Sequence, residues 1–288
     1  MVLRREQLEG FFKCEKSVLV EIIEAKGSTP RETGAWMLVG EKQLLGTIGG
    51  GQLEYIAIDS ARQMLRGGEK SRDIAVPLGP EIGQCCGGKV KLCLSCVDDR
   101  QKAVIRQKLE LERARMPCVY IMGGGHVGQA LALALVPLPF RTIIVDTRLE
   151  ALQGLPENVE KRLSALPEAE VRGAPAGSVF VVMTHDHALD FMIVKEALER
   201  GDAAYVGMIG SETKRAGFIS WMKKAGAGRG VCEPLICPIG AHSVGDKRPE
   251  VIGALVAAQI LVHTGAGRNR IQEELNELAG SWEGIDAE

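Results

Sequence analysis

The chain has 288 residues, a formal net charge of −2, 45% hydrophobic and 25% charged residues, the balance of a globular protein with room for two domains. That near-neutral charge argues against nucleic acid or an anionic membrane surface as a partner. Eight cysteines without a secretion-type leader point to free thiols in a cytoplasmic setting, and the longest apolar run, 130–140, is too short to span a bilayer.

In chain order, 17–25 (SVLVEIIEA) reads as a strand and 36–39 as another, followed by a helix over 53–65 and a strand over 89–97. A charge-dense stretch, 101–117, reads as an exposed helix or linker ending at Pro117. Beyond it the rhythm alternates. Strands are expected at 118–122, 141–145, 179–183 and 205–209, with helices at 127–135, 188–200 and 211–224. A final helix over 249–262 carries Val251, Leu255, Ala258 and Val262 on one face. The predicted fold is α/β: a C-terminal Rossmann-like doubly wound parallel sheet (118–265) behind a smaller N-terminal α+β domain (1–100). An acidic tail occupies 266–288.

The 35 glycines lie in discrete runs, which marks backbone-lined sites. The sharpest run is Gly123-Gly124-Gly125-His126-Val127-Gly128, placed between a predicted strand and a predicted helix, with Asp146 18 residues beyond Gly128 at the end of the next strand. This is the context of a dinucleotide site: the glycines let the backbone approach a pyrophosphate at the helix N-terminus. Asp146 would bind an adenosine ribose, whereas Arg148 would favour a 2′-phosphate, so NAD and NADP both remain open. Thr184, His185 and His187 are expected to face the same cleft. They are candidates for a metal or polar ligand, with helix capping by Thr184 or Asp186 as the alternative.

In the N-terminal part, glycines flank Cys85 and Cys86 in GQCCGG (83–88), an arrangement that would expose thiols as nucleophiles or soft-metal ligands unless they are small buried residues in a turn. Cys93 and Cys96, three apart on a strand, point to opposite faces and are read as packing residues. The run Gly46 to Gly51, which contains Gly49, Gly50 and Gly51, precedes a helix and offers either an anion cradle or a tight turn. Ser28, Thr29 and Arg31 would suit a phosphate or form a plain turn.

Together these motifs resemble the XdhC/CoxI family of xanthine dehydrogenase accessory proteins. GSTPRETGAWMLV (27–39), GTIGGGQLE (46–54) and GQCCGG (83–88) look like its N-terminal domain. YIMGGGHVGQAL (120–131), VDTR (145–148), THDHALD (184–190), YVGMIGSETKR (205–215) and PIG (238–240) look like its Rossmann domain. The resemblance implies a cytoplasmic homodimer that binds molybdenum cofactor (a molybdopterin) and supports its sulfuration with a cysteine desulfurase. It also implies delivery to a molybdenum hydroxylase such as xanthine dehydrogenase. On that reading Cys85 and Cys86 handle sulfur, Cys86 is the candidate molybdenum ligand, and Gly49, Gly50, Gly51 and Arg31 hold the pterin phosphate. His242 and Arg248 depart from the family's pattern after PIG. The alternatives are an NAD(P)-dependent oxidoreductase using His185 or His187 as acid or base, and a nucleotide-sensing regulatory module.

Overall fold

The computed structural model describes residues 3–14, 16–79, 87–228, 230–240 and 245–265. The chain divides into two compact units, one ending at Ala114 and one running from Arg115 to Gly267. Cys85, Cys86, His242 and the expected acidic tail lie outside the described residues.

The N-terminal unit is built from helix α1 (Arg5–Cys14), strands β1 (Ser17–Lys26), β2 (Trp36–Gly40) and β3 (Leu44–Gly46), helix α2 (Gly51–Gly67), strands β4 (Ser71–Leu78) and β5 (Gly88–Cys96), and helix α3 (Asp99–Arg115). Its sheet is antiparallel throughout, in the order β3-β2-β1-β5-β4. Alternation sorts side chains between two layers. Met37 and Val39 of β2, with Val90, Leu92 and Leu94 of β5, meet Leu53, Ala57, Ala61 and Met64 of α2. Trp36 and Leu38 face the other way, onto Leu8, Phe11 and Phe12 of α1 and Ile105 and Leu109 of α3. This explains why β2 is buried at every position. The stretch 101–117, read from its charge as an exposed helix or linker, therefore folds as a helix of this unit with a buried apolar seam.

Cys93 and Cys96 diverge on β5. Cys96 packs beside the α2-facing core, while Cys93 stands opposite Asp73 and Glu21 in the strand register. Burial pushes the Cys93 thiol up, and the Asp73 carboxylate adds to the shift.

The C-terminal unit alternates regularly. Strand β6 (Cys118–Met122) leads into α4 (His126–Leu135), β7 (Arg141–Asp146), β8 (Glu160–Leu163) and α5 (Pro167–Arg172). Then come β9 (Val179–Val182), α6 (His187–Glu199), β10 (Tyr205–Met208), α7 (Glu212–Lys224), β11 (Leu235–Ile236) and α8 (Pro249–Thr264). The sheet is wholly parallel in the order β11-β10-β9-β6-β7-β8. Counted from β6 that is 3-2-1-4-5-6 across the sheet, the Rossmann order, and it puts the switch point between β6 and β9. Strands β6, β9 and β10 are buried at every residue, as expected for a sheet covered on both faces.

The final helix turns differently from its predicted face. Gly253, Val256, Ala257 and Ile260 are buried, whereas Val262 is 80% exposed. Nearly every position of α8 is apolar, so periodicity did not discriminate. The small residue decides: a Cβ on Gly253 would lie 2.9 Å from the backbone of Ala130. This close approach seats α8 on α4.

Candidate functional site

In the C-terminal unit the carboxyl ends of β6, β7 and β9 enclose a narrow crevice lined by Gly123, Val145, Asp146, Thr147, Pro167, Thr184, His185 and Leu189. The glycine run builds its floor. Gly123 has φ 125°, and a Cβ there would sit 2.4 Å from the Met183 carbonyl oxygen, so the turn presses against the end of β9. A Cβ on Gly128 would lie 2.0 Å from the Gly123 oxygen. Gly125 differs: it is the N-cap of α4, and nothing lies within 4 Å of the place a Cβ would occupy. Packing explains the other glycines, whereas at Gly125 the N-terminus of α4 is open. Gly125, His126 and Val127 open α4, with Gly125 and His126 exposed.

Asp146 is 4% exposed and accepts four hydrogen bonds. They come from the Gly124 N–H at 2.7 Å, the Arg148 N–H at 2.9 Å, Arg148 Nε at 3.0 Å and Arg148 Nη2 at 3.2 Å. Burial alone would raise its pKa. The Arg148 side chain and the two amides outweigh burial and hold the carboxyl below its ordinary value.

On the β9 side, Asp186 caps α6 by accepting from the Ala188 N–H at 2.7 Å. Thr184 reaches a group that the sequence reading passed over. Asp190, fully buried, accepts from the Thr184 N–H at 2.9 Å and hydroxyl at 2.7 Å, and from Lys214 Nζ at 2.6 Å. Lys214 Nζ also donates to the Ile209 carbonyl at 2.9 Å. The pair ties the loop after β9 to the loop after β10. Its signal was present in the sequence: Asp190 shares a helical face with Ile193, Val194 and Ala197, and a charge on a buried face requires a buried partner. His185 lines the crevice, while His187 begins α6 as an exposed residue. Among the described residues no group of three or more His, Cys, Asp or Glu side chains is arranged to hold a metal ion.

In the N-terminal unit three motifs meet at one end of the sheet. A Cβ on Gly49 would lie 2.7 Å from Pro30 and 3.2 Å from Arg31. Ser28 forms a bridge with Gly87, the residue after Cys86, and a Cβ on Gly88 would lie 2.3 Å from the Ser28 oxygen. Segments 27–31, 46–50 and 87–88 therefore form one surface. The expected anion cradle is corrected in part, because Glu54 already fills it. Its Oε2 accepts from the Thr47 hydroxyl at 2.6 Å and from the N–H groups of Gly50 at 3.0 Å and Ile48 at 3.2 Å, while the Gly49 N–H donates to Thr47 at 3.1 Å. The loop's first anion is its own carboxylate.

Comparison with known proteins agrees with this two-part architecture. A family model described as the XdhC Rossmann domain matches residues 119–260, and one described as the XdhC and CoxI family matches residues 14–74. The chain belongs to the XdhC/CoxI family. An Escherichia coli (strain K12) protein, uncharacterized protein YqeB, is 25% identical over 260 residues, covering 84% of this chain and 42% of that protein. The chain thus spans less than half the length of that relative. A crystal structure described as a xanthine dehydrogenase from Bacillus halodurans superposes with a TM-score of 0.75 at 18% identity, over 92% of this chain and 96% of that one. At that identity the likeness is one of fold. Among the described residues no helix is long and apolar enough to cross a membrane.

Proposed function

We propose that this XdhC/CoxI protein is an accessory factor that binds molybdenum cofactor, supports its sulfuration and passes it to a xanthine dehydrogenase-type molybdenum hydroxylase. A cysteine desulfurase is the sulfur donor in this reading, and the protein acts as a cytoplasmic homodimer. The observation that carries it is the convergence of 27–31, 46–50 and 87–88, which gathers Arg31, hydroxyls and close-packed backbone beside the chain position of Cys85 and Cys86. The chemistry of the remaining thiols supports it. Burial raises the pKa of Cys93, Cys96, Cys118, Cys232 and Cys237, so these are poor thiolates at neutral pH. Of the other three cysteines, Cys14 is exposed on α1, away from the glycine-rich loops in sequence, and this reading assigns soft-metal and sulfur chemistry to Cys85 and Cys86, with Cys86 the ligand to the cargo's molybdenum. With Glu54 occupying the amides of Ile48 and Gly50 and Thr47 that of Gly49, the cofactor's phosphate is left to Arg31 and the hydroxyls of 28–29, while Gly49, Gly50 and Gly51 shape the loop.

The test is metal analysis and pterin fluorescence on protein produced in cells that make the cofactor. Molybdenum and pterin should co-purify with the wild type and be lost from Cys85→Ala and Cys86→Ala variants. Retention of both in the double variant would overturn the thiol assignment.

A second reading concerns the C-terminal unit, where the open space at Gly125 and the crevice at the switch point suit a dinucleotide, NAD or NADP. Gly125 and the first turn of α4 at His126 and Val127 would face its pyrophosphate, with Gly123 and Gly128 allowing the close packing that shapes the turn, and its occupancy would regulate cargo handling. An oxidoreductase reading keeps only His185 as an acid or base within the crevice lining.

A further inference from the structure

The pair formed by Asp146 and Arg148 decides what the crevice of the C-terminal unit can recognise, an inference that rests on the nucleotide reading just given. In a dinucleotide site the acidic residue ending the second strand accepts hydrogen bonds from ribose hydroxyls. Asp146 holds that position with its acceptors spent. A carboxylate offers about four lone-pair sites, and the Gly124 amide with three Arg148 donors occupies four. A ribose diol could reach those oxygens only by prising Arg148 from a carboxylate that is almost water-free, leaving a buried anion without its cation.

Arg148 is the accessible member of the pair. Its side chain is 39% exposed against 3% for that of Asp146. Nε and Nη2 grip Asp146, and a guanidinium has five N–H donors in a planar fork, so its outer edge keeps donors for a second anion. The surroundings supply the rest. Leu149, Leu163 and Leu166 are 61%, 57% and 60% exposed. Leu163 lies in register with Asp146 across β7 and β8, and Leu166 precedes Pro167 of the crevice wall. Exposed apolar side chains beside a fixed guanidinium suit a flat base next to a phosphate.

We propose that the crevice selects a nucleotide whose adenosine ribose carries a phosphomonoester, the NADP(H) type, over its unphosphorylated counterpart. The phosphate pairs with the outer edge of Arg148, the base lies on the leucines, and Asp146 is a positioning residue that holds the guanidinium rather than a ribose acceptor.

Calorimetric titration of the full chain with NADP⁺ and NAD⁺ tests this. NADP⁺ should bind about tenfold tighter or more, the return on charge-assisted hydrogen bonds to one phosphate. Adenosine 2′-monophosphate should compete, and adenosine 5′-monophosphate should not. In Arg148→Leu, shown to be folded by its unfolding curve, the ratio should fall to about one as the phosphate contact disappears. NAD⁺ binding as tightly as NADP⁺, or a ratio unchanged in Arg148→Leu, would overturn the selectivity while leaving the nucleotide reading standing. Binding of neither dinucleotide would overturn the nucleotide reading itself, and this proposal with it.

Discussion

Two glycine-rich segments open helices in this chain, one in each unit, and they end in opposite states. Before α2, the amides of Ile48 and Gly50 point at Glu54, a carboxylate supplied by the helix's own first turn. Before α4, Asp146 takes the Gly124 amide from the side, and the N-cap Gly125 faces open space. Glycine content alone therefore does not make a ligand site. What decides is whether an acid stands close enough along the chain to fold back onto the exposed amides, as in a capping box. Glu54, four residues after Gly50, was that signal.

The largest expected effect concerns the framework behind the open site. Lys214→Met would strand the Asp190 carboxylate in a water-free position, at a cost of about 3–5 kcal/mol. Urea unfolding should show it, and Asp190→Leu/Lys214→Met should recover part of the loss. A smaller cost, about 1–3 kcal/mol or somewhat more, is expected for Gly128→Ala, whose methyl would overlap the Gly123 oxygen. Gly125→Ala sharpens the comparison: it should change stability by no more than about 0.5 kcal/mol while weakening nucleotide binding. Equal losses for the two alanines would refute the view that Gly125 serves a ligand.

In the filled loop, Glu54→Ala removes the acceptor for two amides and a hydroxyl, and should destabilise by about 1–3 kcal/mol, with Glu54→Gln losing less. The smallest effect is the pH response of the open site. Asp146 has its pKa depressed in the folded state, so its contribution is present above the unfolded value of about 4 and fades as pH falls through the folded value. Acid unfolding of Asp146→Asn should show a shallower loss over that range than the wild type does.

The Rossmann-like fold was legible because buried parallel strands are continuous apolar runs and the turn after β6 has a spacing that few other structures share. The strands that escaped the sequence reading lie at edges. β4 carries Pro77 and opens with Ser-Arg-Asp, β8 is Glu-Lys-Arg-Leu, β3 is only three residues long and β11 only two. At such edges pairing with a neighbour, not local pattern, makes the strand. Site residues followed the same division. The glycines and Asp146 could be placed from local spacing, and the partners Glu54 (on the Ile48 and Gly50 amides) and Arg148 (on Asp146) lie within a few residues of them. Lys214 and Asp190 meet only through tertiary geometry. Gln259 belongs with them: its side-chain oxygen accepts from the Tyr205 hydroxyl and the Gly240 N–H, anchoring the PIG segment to α8.

The proposed role is tested most directly on the enzyme that would be served. A xanthine dehydrogenase-type hydroxylase should be produced in cells with and without this chain and assayed for molybdenum and cyanide-releasable sulfur. The hydroxylase should carry its full complement of both only when the chain is present, and should lose both with the Cys85→Ala/Cys86→Ala variant, which no longer holds the cargo. A hydroxylase equally loaded and equally sulfurated without the chain would contradict it.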